Sequence, residues 1–183
     1  VFANGGYLKQ PYFIEKIIDA KGRKIKQSFS VTNGETPRII DPRNAFIMTS
    51  LLKEVINTGT AKKAKRLKRE DIAGKTGTTN ELVDAWFAGF NPDLVTITWM
   101  GFDQPRSLGK HESGSRAALP IWVDYMKPII NDYPSRMAET PEGIIPLRIN
   151  PKNGMLANKN EDSIYEYFYD EFPPSNNAYF LLN

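Results

Sequence analysis

The segment Gly74-Lys75-Thr76-Gly77-Thr78-Thr79 holds the residues of this chain that are best suited to chemistry. A lysine ammonium beside several hydroxyl groups can bind an anion, and a glycine between them lets a ligand approach the backbone closely. Its first letters match the Gly-Lys-[Ser/Thr] end of a phosphate-binding P-loop. A P-loop needs another glycine five residues earlier, and that position is Arg69. The pattern therefore favours an anion site on a strand over a phosphate cradle.

Strands are predicted through this segment and after it. Runs of apolar and β-branched residues predict strands over 72–79, 85–90 and 94–102. The tight Asn91-Pro92-Asp93 connection makes the last two strands antiparallel neighbours, because a parallel pair needs a much longer crossover. We therefore expect an antiparallel sheet in the middle of the chain.

Two amphipathic helices are predicted to flank this sheet. The first is capped by the Asp41 side chain, has Pro42 at its first helical position and runs for about 15 residues towards Gly59. The second covers 121–130 and should pack its apolar side on one face of the sheet. These elements predict an α+β fold, an antiparallel sheet flanked by helices. The two apolar stripes are Ile47, Met48, Leu51, Leu52, Val55 and Ile56, and then Ile121, Trp122, Tyr125, Met126, Ile129 and Ile130.

The two ends of the chain have their own patterns. Residues 13–19 and 24–29 predict a hairpin, with a turn at Gly22. Beyond Glu139 the sequence consists of turn signals around short apolar pieces. We therefore predict that 139–183 is an irregular tail.

Composition limits the kind of protein. The 183 residues are 40% hydrophobic and 25% charged, which suits one packed core. Cysteine is absent and His111 is the sole histidine, so we expect no disulfide and no metal site. We also expect no cofactor. No apolar run approaches the roughly 20 residues that span a bilayer. Six basic residues cluster at 62–69, but no aromatic residue for base stacking lies among them, so we expect no nucleic-acid partner.

The Lys-Thr-Gly element is followed in the chain by two further motifs. Asp84-Ala85-Trp86-Phe87 follows it, and then Trp99-Met100-Gly101-Phe102-Asp103. This order resembles the carboxy-terminal part of the transpeptidase domain of class A, bifunctional penicillin-binding proteins, which share Lys-Thr-Gly with the serine β-lactamases. The likeness extends to 1–6, 55–61, 117–122, 140–144 and 165–168.

The resemblance covers nearly the whole chain. It implies that the fold is part of a penicillin-binding and serine β-lactamase-like transpeptidase fold. Residues 1–138 would be the carboxy-terminal portion of that domain, and 139–183 would be its tail. Trp86, Trp99 and Trp122 are also expected to be core aromatics.

The resemblance also assigns roles to four residues. On a strand at the rim of a cleft, alternation sends Lys75 and Gly77 to one face and Thr76 and Thr78 to the other. Lys75 would give electrostatic and proton-network support, and the two threonines would hold a substrate carboxylate. Gly77 would let a peptide lie beside the strand, and the Thr78 N–H would face a developing oxyanion. Lys75 and Thr78 are thus the predicted catalytic residues, and all four are predicted to bind substrate.

The nucleophile of this family begins a Ser-x-x-Lys turn. Ser50-Leu51-Leu52-Lys53 has that spacing, but on a helix Ser50, Lys53 and Asn57 fall opposite the Ile47 and Val55 stripe and should face water. A solvated serine is not an activated nucleophile. The family's serine also comes much earlier than Lys-Thr-Gly, with a Ser-x-Asn element between them. We therefore predict that this chain contains no nucleophile and is inactive by itself.

The resemblance implies a D-Ala-D-Ala transpeptidase that cross-links peptidoglycan. Its partners would be the stem peptide, β-lactam antibiotics and the polypeptide segment that carries Ser-x-x-Lys. Its location would be the periplasmic face of the bacterial inner membrane, with membrane contact only through an amino-terminal anchor outside this chain. Two alternatives stay open. The chain could belong to a serine β-lactamase or D,D-carboxypeptidase, or it could be a non-catalytic peptide-binding or scaffolding module.

Overall fold

A computed structural model describes residues 1–27 and 36–174 of the chain. In those residues, antiparallel sheets of two or three strands and two α-helices alternate along the sequence, which confirms the predicted α+β fold. In chain order the elements are β1 (Lys16–Ile18), β2 (Lys24–Gln27), α1 (Pro42–Asn57), β3 (Ala73–Thr78), β4 (Ala85–Phe90), β5 (Val95–Met100), α2 (Leu119–Ile129), β6 (Ile144–Ile149) and β7 (Ile164–Tyr169).

The central sheet has the strand order β3-β4-β5, and both pairs are antiparallel as predicted. Thr76 lies opposite Phe87 and Gly77 lies opposite Trp86. In the described part of the chain β3 is an edge of this sheet. The Lys-Thr-Gly segment therefore lies on a strand with one side open to an added peptide.

Helix α2 covers one face of the sheet, as predicted. The Trp122 side chain is fully buried, and its ring centroid lies 5.0 Å from that of Phe87 in an edge-to-face contact. The Trp122 Nε1–H donates a 3.0 Å hydrogen bond to the carbonyl of Thr96 on β5. This contact satisfies the indole donor and joins α2 to the far strand. Ile121 and Tyr125 belong to the predicted stripe but are exposed, so α2 packs on a narrower face than its periodicity indicated.

The opposite face of the sheet is open, and here the prediction of three core tryptophans is wrong. Trp122 is buried, but Trp86 is 41% and Trp99 is 44% exposed. Strand alternation explains the difference, since these two tryptophans are cross-strand neighbours on the side away from α2. Val95 and Ile97, which lie on β5 with Trp99, are exposed as well.

Helix α1 begins and ends close to the prediction. The Asp41 carboxylate accepts a 2.8 Å hydrogen bond from the Arg43 N–H, and Pro42 occupies the first turn. The predicted burial of the helix is confirmed for Ile56 and Val55, which belong to or pack against the core, but it is wrong for three other residues. Leu51 is 52% exposed, whereas Ser50 and Lys53 are half-buried and line a cleft. Periodicity marked one apolar stripe, but chain segments distant in sequence cover the polar side of this helix.

The predicted amino-terminal hairpin is confirmed over a shorter length, as β1 and β2. The last predicted residues of its second strand, 28 and 29, lie outside the described residues. The prediction of an irregular tail is wrong for 144–149 and 164–169, which pair as antiparallel strands. β6 contains Pro146, which a two-stranded sheet tolerates because both of its strands are edge strands. The boundary at 138 stays a prediction.

A buried ion pair fastens the end of α2 to the start of β3. The Arg69 guanidinium donates to both carboxylate oxygens of Asp71, at 2.8 and 2.6 Å. It also donates to the carbonyls of Ile130 and Tyr133, at 2.9 and 2.8 Å, which satisfies acceptors at the end of the helix. Burial acts to raise the pKa of Asp71, but the hydrogen bonds from Arg69 and from the Arg136 N–H outweigh it and hold the pKa below its usual value.

We predict that Asp71→Ala destabilises the fold by about 3 to 5 kcal/mol, because it leaves the buried Arg69 guanidinium without its counter-charge. Thermal or urea unfolding of the protein measures the loss. The exposed pair of Arg23 and Asp19 is the matched control, and Asp19→Ala should cause a much smaller loss. Because the folded-state pKa of Asp71 is lowered, this stabilisation is present above about pH 4 and is lost as the pH falls below it. Equal losses for the two variants would contradict the prediction.

Candidate active-site strand

The side chains of β3 alternate as predicted. Thr76 and Thr78 lie opposite the buried Phe87 and Ala85, on the side that α2 covers. Lys75 and Gly77 point to the other side, where Gly77 lies opposite Trp86. The strand therefore separates the ammonium from the two hydroxyls, and all of them remain close to its open edge.

The backbone of Thr78 is oriented towards that open edge. The Thr79 N–H donates a 3.1 Å hydrogen bond to the Asp84 carbonyl, so the Thr79 amide points towards β4. Successive backbone amides of a strand alternate between its two edges, so the N–H groups of Thr76 and Thr78 point away from β4. An N–H in this position can donate to an oxygen of a ligand bound at the edge.

Lys75 reaches the same edge. Its side chain is exposed, and its Nζ donates a 2.8 Å hydrogen bond to the carbonyl of Thr76. That carbonyl points away from β4, as the alternation requires. An ammonium has three donors, so two remain for a substrate or for a neighbouring catalytic group.

The threonine hydroxyls make two contacts that the sequence did not predict. Thr76 Oγ1 lies 2.8 Å from Oγ1 of Thr60, in the loop after α1. Thr78 Oγ1 accepts a 3.0 Å hydrogen bond from the N–H of Gly114, the first residue of a π-helical turn (Gly114–Ala118) that precedes α2. Thr60 lies in a segment that the resemblance had marked, at 55–61. No sequence signal indicated Gly114.

Two glycines are closely packed at this strand. A Cβ on Gly77 would lie 3.2 Å from Cβ of Trp86, which is tighter than ordinary van der Waals contact. A Cβ on Gly114 would overlap the carbonyl oxygens of Gly77 and Trp86. The π-helical turn thus lies directly on the strand and fixes its position.

Asp84 fastens the end of β3 to β4 and β5. Its N–H donates a 2.7 Å hydrogen bond to Oγ1 of Thr79, and its carboxylate Oδ1 accepts a 2.9 Å hydrogen bond from Trp99 Nε1. Trp99 in turn packs near Trp86, with ring centroids 6.0 Å apart. The Asp-Ala-Trp-Phe motif therefore has a structural use, since it sets the geometry of the strand end beside Thr78.

Ser50 and Lys53 lie in a separate cleft of about 560 Å³, which none of residues 75–78 lines. Phe46, Met137 and Tyr167 form part of its apolar wall. Burial lowers the pKa of Lys53, whose Nζ lies 3.4 Å from Sδ of Met137. The prediction that these two side chains face water is therefore wrong, although they are not at the Lys-Thr-Gly strand.

A second Ser-x-x-Lys spacing runs from Ser107 to Lys110. Both residues lie in an exposed loop, and Gly109 between them has a φ of +120°. A helical turn is needed to bring the serine and lysine of such a motif onto one face, and this backbone does not form one. Within residues 1–27 and 36–174, no group of three acidic, histidine or cysteine residues could hold a metal ion, and no helix is long and apolar enough to cross a bilayer.

Comparison with known proteins places this chain in a family. The family model described as "Penicillin binding protein transpeptidase domain" matches residues 1–127. Penicillin-binding protein 1A of Neisseria lactamica is 48% identical over 146 residues, which cover 79% of this chain and 18% of that protein. Penicillin-binding protein 1A of Pseudomonas aeruginosa is 39% identical over an alignment of 227 residues, which covers 97% of this chain and 27% of that protein.

A solved structure agrees with these matches. The crystal structure of penicillin-binding protein 1A from Haemophilus influenzae matches with a TM-score of 0.84 and 34% identity, over 95% of this chain and 31% of that one. The chain thus spans about a fifth to a third of the relatives it matches, and the predicted kinship with class A penicillin-binding proteins is confirmed. From the family match over 1–127 and the agreement of the folds, the chain belongs to the penicillin-binding protein transpeptidase domain family.

Proposed function

We propose that this chain supplies the Lys-Thr-Gly strand of a D-Ala-D-Ala transpeptidase that cross-links peptidoglycan. The observation that carries the proposal is the open edge of β3, at which the Lys75 ammonium contacts the Thr76 carbonyl and towards which the Thr78 N–H points, within the family match. A stem peptide would lie along this edge as an added strand.

The proposed reaction is acyl transfer through a serine. The serine, on a segment outside this chain, attacks the carbonyl between the two D-Ala residues, and the terminal D-Ala leaves with a proton on its amine. An amine of a neighbouring stem peptide then attacks the acyl-enzyme, the bond to the serine oxygen breaks, and a proton of the amine returns to the serine as the amide cross-link forms. The Thr78 N–H would stabilise the oxyanion of both tetrahedral intermediates. β-Lactams would acylate the same serine.

The other groups of the strand would bind and orient the substrate. Thr78 Oγ1 accepts a hydrogen bond from Gly114, so its own O–H proton is free to donate to the substrate carboxylate. Lys75 would add positive charge near that carboxylate and near the serine. Gly77 leaves room for the peptide backbone beside the strand.

The segment that carries Ser-x-x-Lys would pack on the open face of the central sheet. That face exposes Trp86 and Trp99 together with Val95 and Ile97, which are 64% and 61% exposed. Such a contiguous apolar surface favours a protein contact, because burying it removes apolar area from water. We also propose that the complete protein acts at the periplasmic face of the inner membrane, where its substrate lies.

The test uses a polypeptide that is extended upstream to include the serine-bearing part of the domain. Given a D-Ala-D-Ala stem peptide and an acceptor amine, we expect it to release D-Ala and form the amide-linked product, measured by mass spectrometry. Release of D-Ala with transfer to water alone would instead favour a D,D-carboxypeptidase. Hydrolysis of a β-lactam without peptide turnover would favour a β-lactamase, and no reaction with either would favour a non-catalytic module.

A further inference from the structure

We propose that Thr60 is a positioning residue for the substrate carboxylate, acting through the hydroxyl of Thr76. This inference rests on the proposed function of β3. Thr60 follows α1 and is 16 residues from Thr76 in sequence, yet the two Oγ1 atoms are 2.8 Å apart.

The hydroxyl pair keeps one proton for an anion, whichever residue donates within the pair. If Thr60 donates to Thr76, the Thr76 proton is free, and if Thr76 donates, the Thr60 proton is free. A hydroxyl that already accepts or donates one hydrogen bond is polarised and makes a stronger second one. The pair therefore presents a carboxylate with a donor of defined position, which a single freely rotating hydroxyl does not.

The backbone holds Thr60 in place from both sides. The N–H of Gly59 donates to the carbonyl of Glu54 at 3.0 Å, and the N–H of Ala61 donates to the carbonyl of Val55 at 2.9 Å. Ala61 is fully buried. A Cβ on Gly59 would lie 2.8 Å from Cα of Val55, so glycine is required for this close turn. Thr60 is thus an exposed side chain on a rigid support.

Nearby threonines differ from Thr60 in how they use their hydroxyls. The Thr58 hydroxyl donates to the Glu54 carbonyl at 3.2 Å, as a local helix-end contact. The Thr79 hydroxyl accepts from the Asp84 N–H at 2.7 Å. In the part of the chain that the structure describes, Thr60 bonds to a residue of the Lys-Thr-Gly element itself. Thr58 is therefore a matched control, on the same loop but without contact to β3.

The experiment measures second-order acylation rates of the upstream-extended protein by a penicillin and by its neutral methyl ester. Thr60→Val should slow acylation by the acid about 3- to 10-fold and leave acylation by the ester unchanged. Thr60→Ser should restore the rate to within about twofold, because it keeps the hydroxyl. Thr76→Val should slow acylation by the acid about 10- to 100-fold, since it removes a hydrogen bond to a charged group. The double variant should be close to Thr76→Val alone, because both changes remove one coupled unit.

Thr58→Val should leave both rates at the wild-type value. If Thr76→Val is slow and Thr60→Val is not, the inference about Thr60 is overturned and the proposed site stands. If Thr60→Val slows the acid and the ester equally, Thr60 has a structural role only, which also overturns the inference. If Thr76→Val has no effect, the proposed carboxylate site itself is wrong.

Discussion

Replacing Lys75 with alanine is expected to slow acylation of the upstream-extended protein by penicillin by about 10²- to 10³-fold. This is the range for losing one preorganised electrostatic or acid-base group in an active site. The Lys75 side chain is exposed in the described residues, and its hydrogen bond runs to the carbonyl of the next residue, so its loss should leave the fold intact. Stopped-flow or gel-based labelling with a fluorescent penicillin measures the rate, and thermal unfolding checks the fold.

Lys127→Ala is the matched control for the lysine variant. Lys127 is also exposed, but it lies on α2, which packs on the side of the sheet away from the Lys75 side chain. Its replacement should change the acylation rate by less than about twofold, as for an ordinary surface substitution. An unchanged rate for Lys75→Ala would remove the assignment of this residue, and an equal effect of both variants would indicate general charge rather than a site.

The chain of 183 residues by itself is expected to take up no covalent label from the same penicillin. The reason is that neither of the two Ser-x-x-Lys segments of the chain lies at the Lys-Thr-Gly strand. Ser50 and Lys53 line a different cleft, and Ser107 and Lys110 lie in an exposed loop. The upstream-extended protein is the positive control, and intact-mass spectrometry measures the adduct in both.

A stoichiometric adduct on Ser50 of the lone chain would contradict this expectation. It would also contradict the proposal that the nucleophilic serine lies on a segment outside this chain. Ser50 is the residue to inspect because it lies in the same cleft as the half-buried Lys53, whose pKa is lowered by burial. In the extended protein, Ser50→Ala should leave acylation within error. A large loss for that variant would move the nucleophile into α1.

The central strands and the α1 cap could be predicted because they depend on short-range patterns. The alternation of Lys75 and Gly77 against Thr76 and Thr78 follows from the two-residue period of any strand. The antiparallel pairing of β4 and β5 follows from a connection too short for a crossover. The Asp41 cap of α1 depends on a contact between residues that are only two positions apart. The order of motifs around Lys-Thr-Gly was enough to recognise the family.

Side-chain burial was less predictable, because a periodic apolar pattern does not tell which face finds a partner. The sequence does not distinguish Trp86, Trp99 and Trp122, but only Trp122 is buried, where α2 packs on the sheet. Ser50 and Lys53 lie on the polar side of α1, and residues more than 80 positions away, such as Met137 and Tyr167, enclose them. The β6 and β7 pairing was missed because turn residues and Pro146 conceal its alternation.

The residue types, the spacing of the Lys-Thr-Gly element and the alternation along its strand were thus determined by the sequence itself. Only the tertiary structure placed Thr60 against Thr76 and Gly114 against Thr78, across 16 and 36 residues. The physical reason is that these contacts depend on where α1 ends and how the π-helical turn packs on β3. Those positions result from long-range packing of the whole core, which no local periodicity encodes.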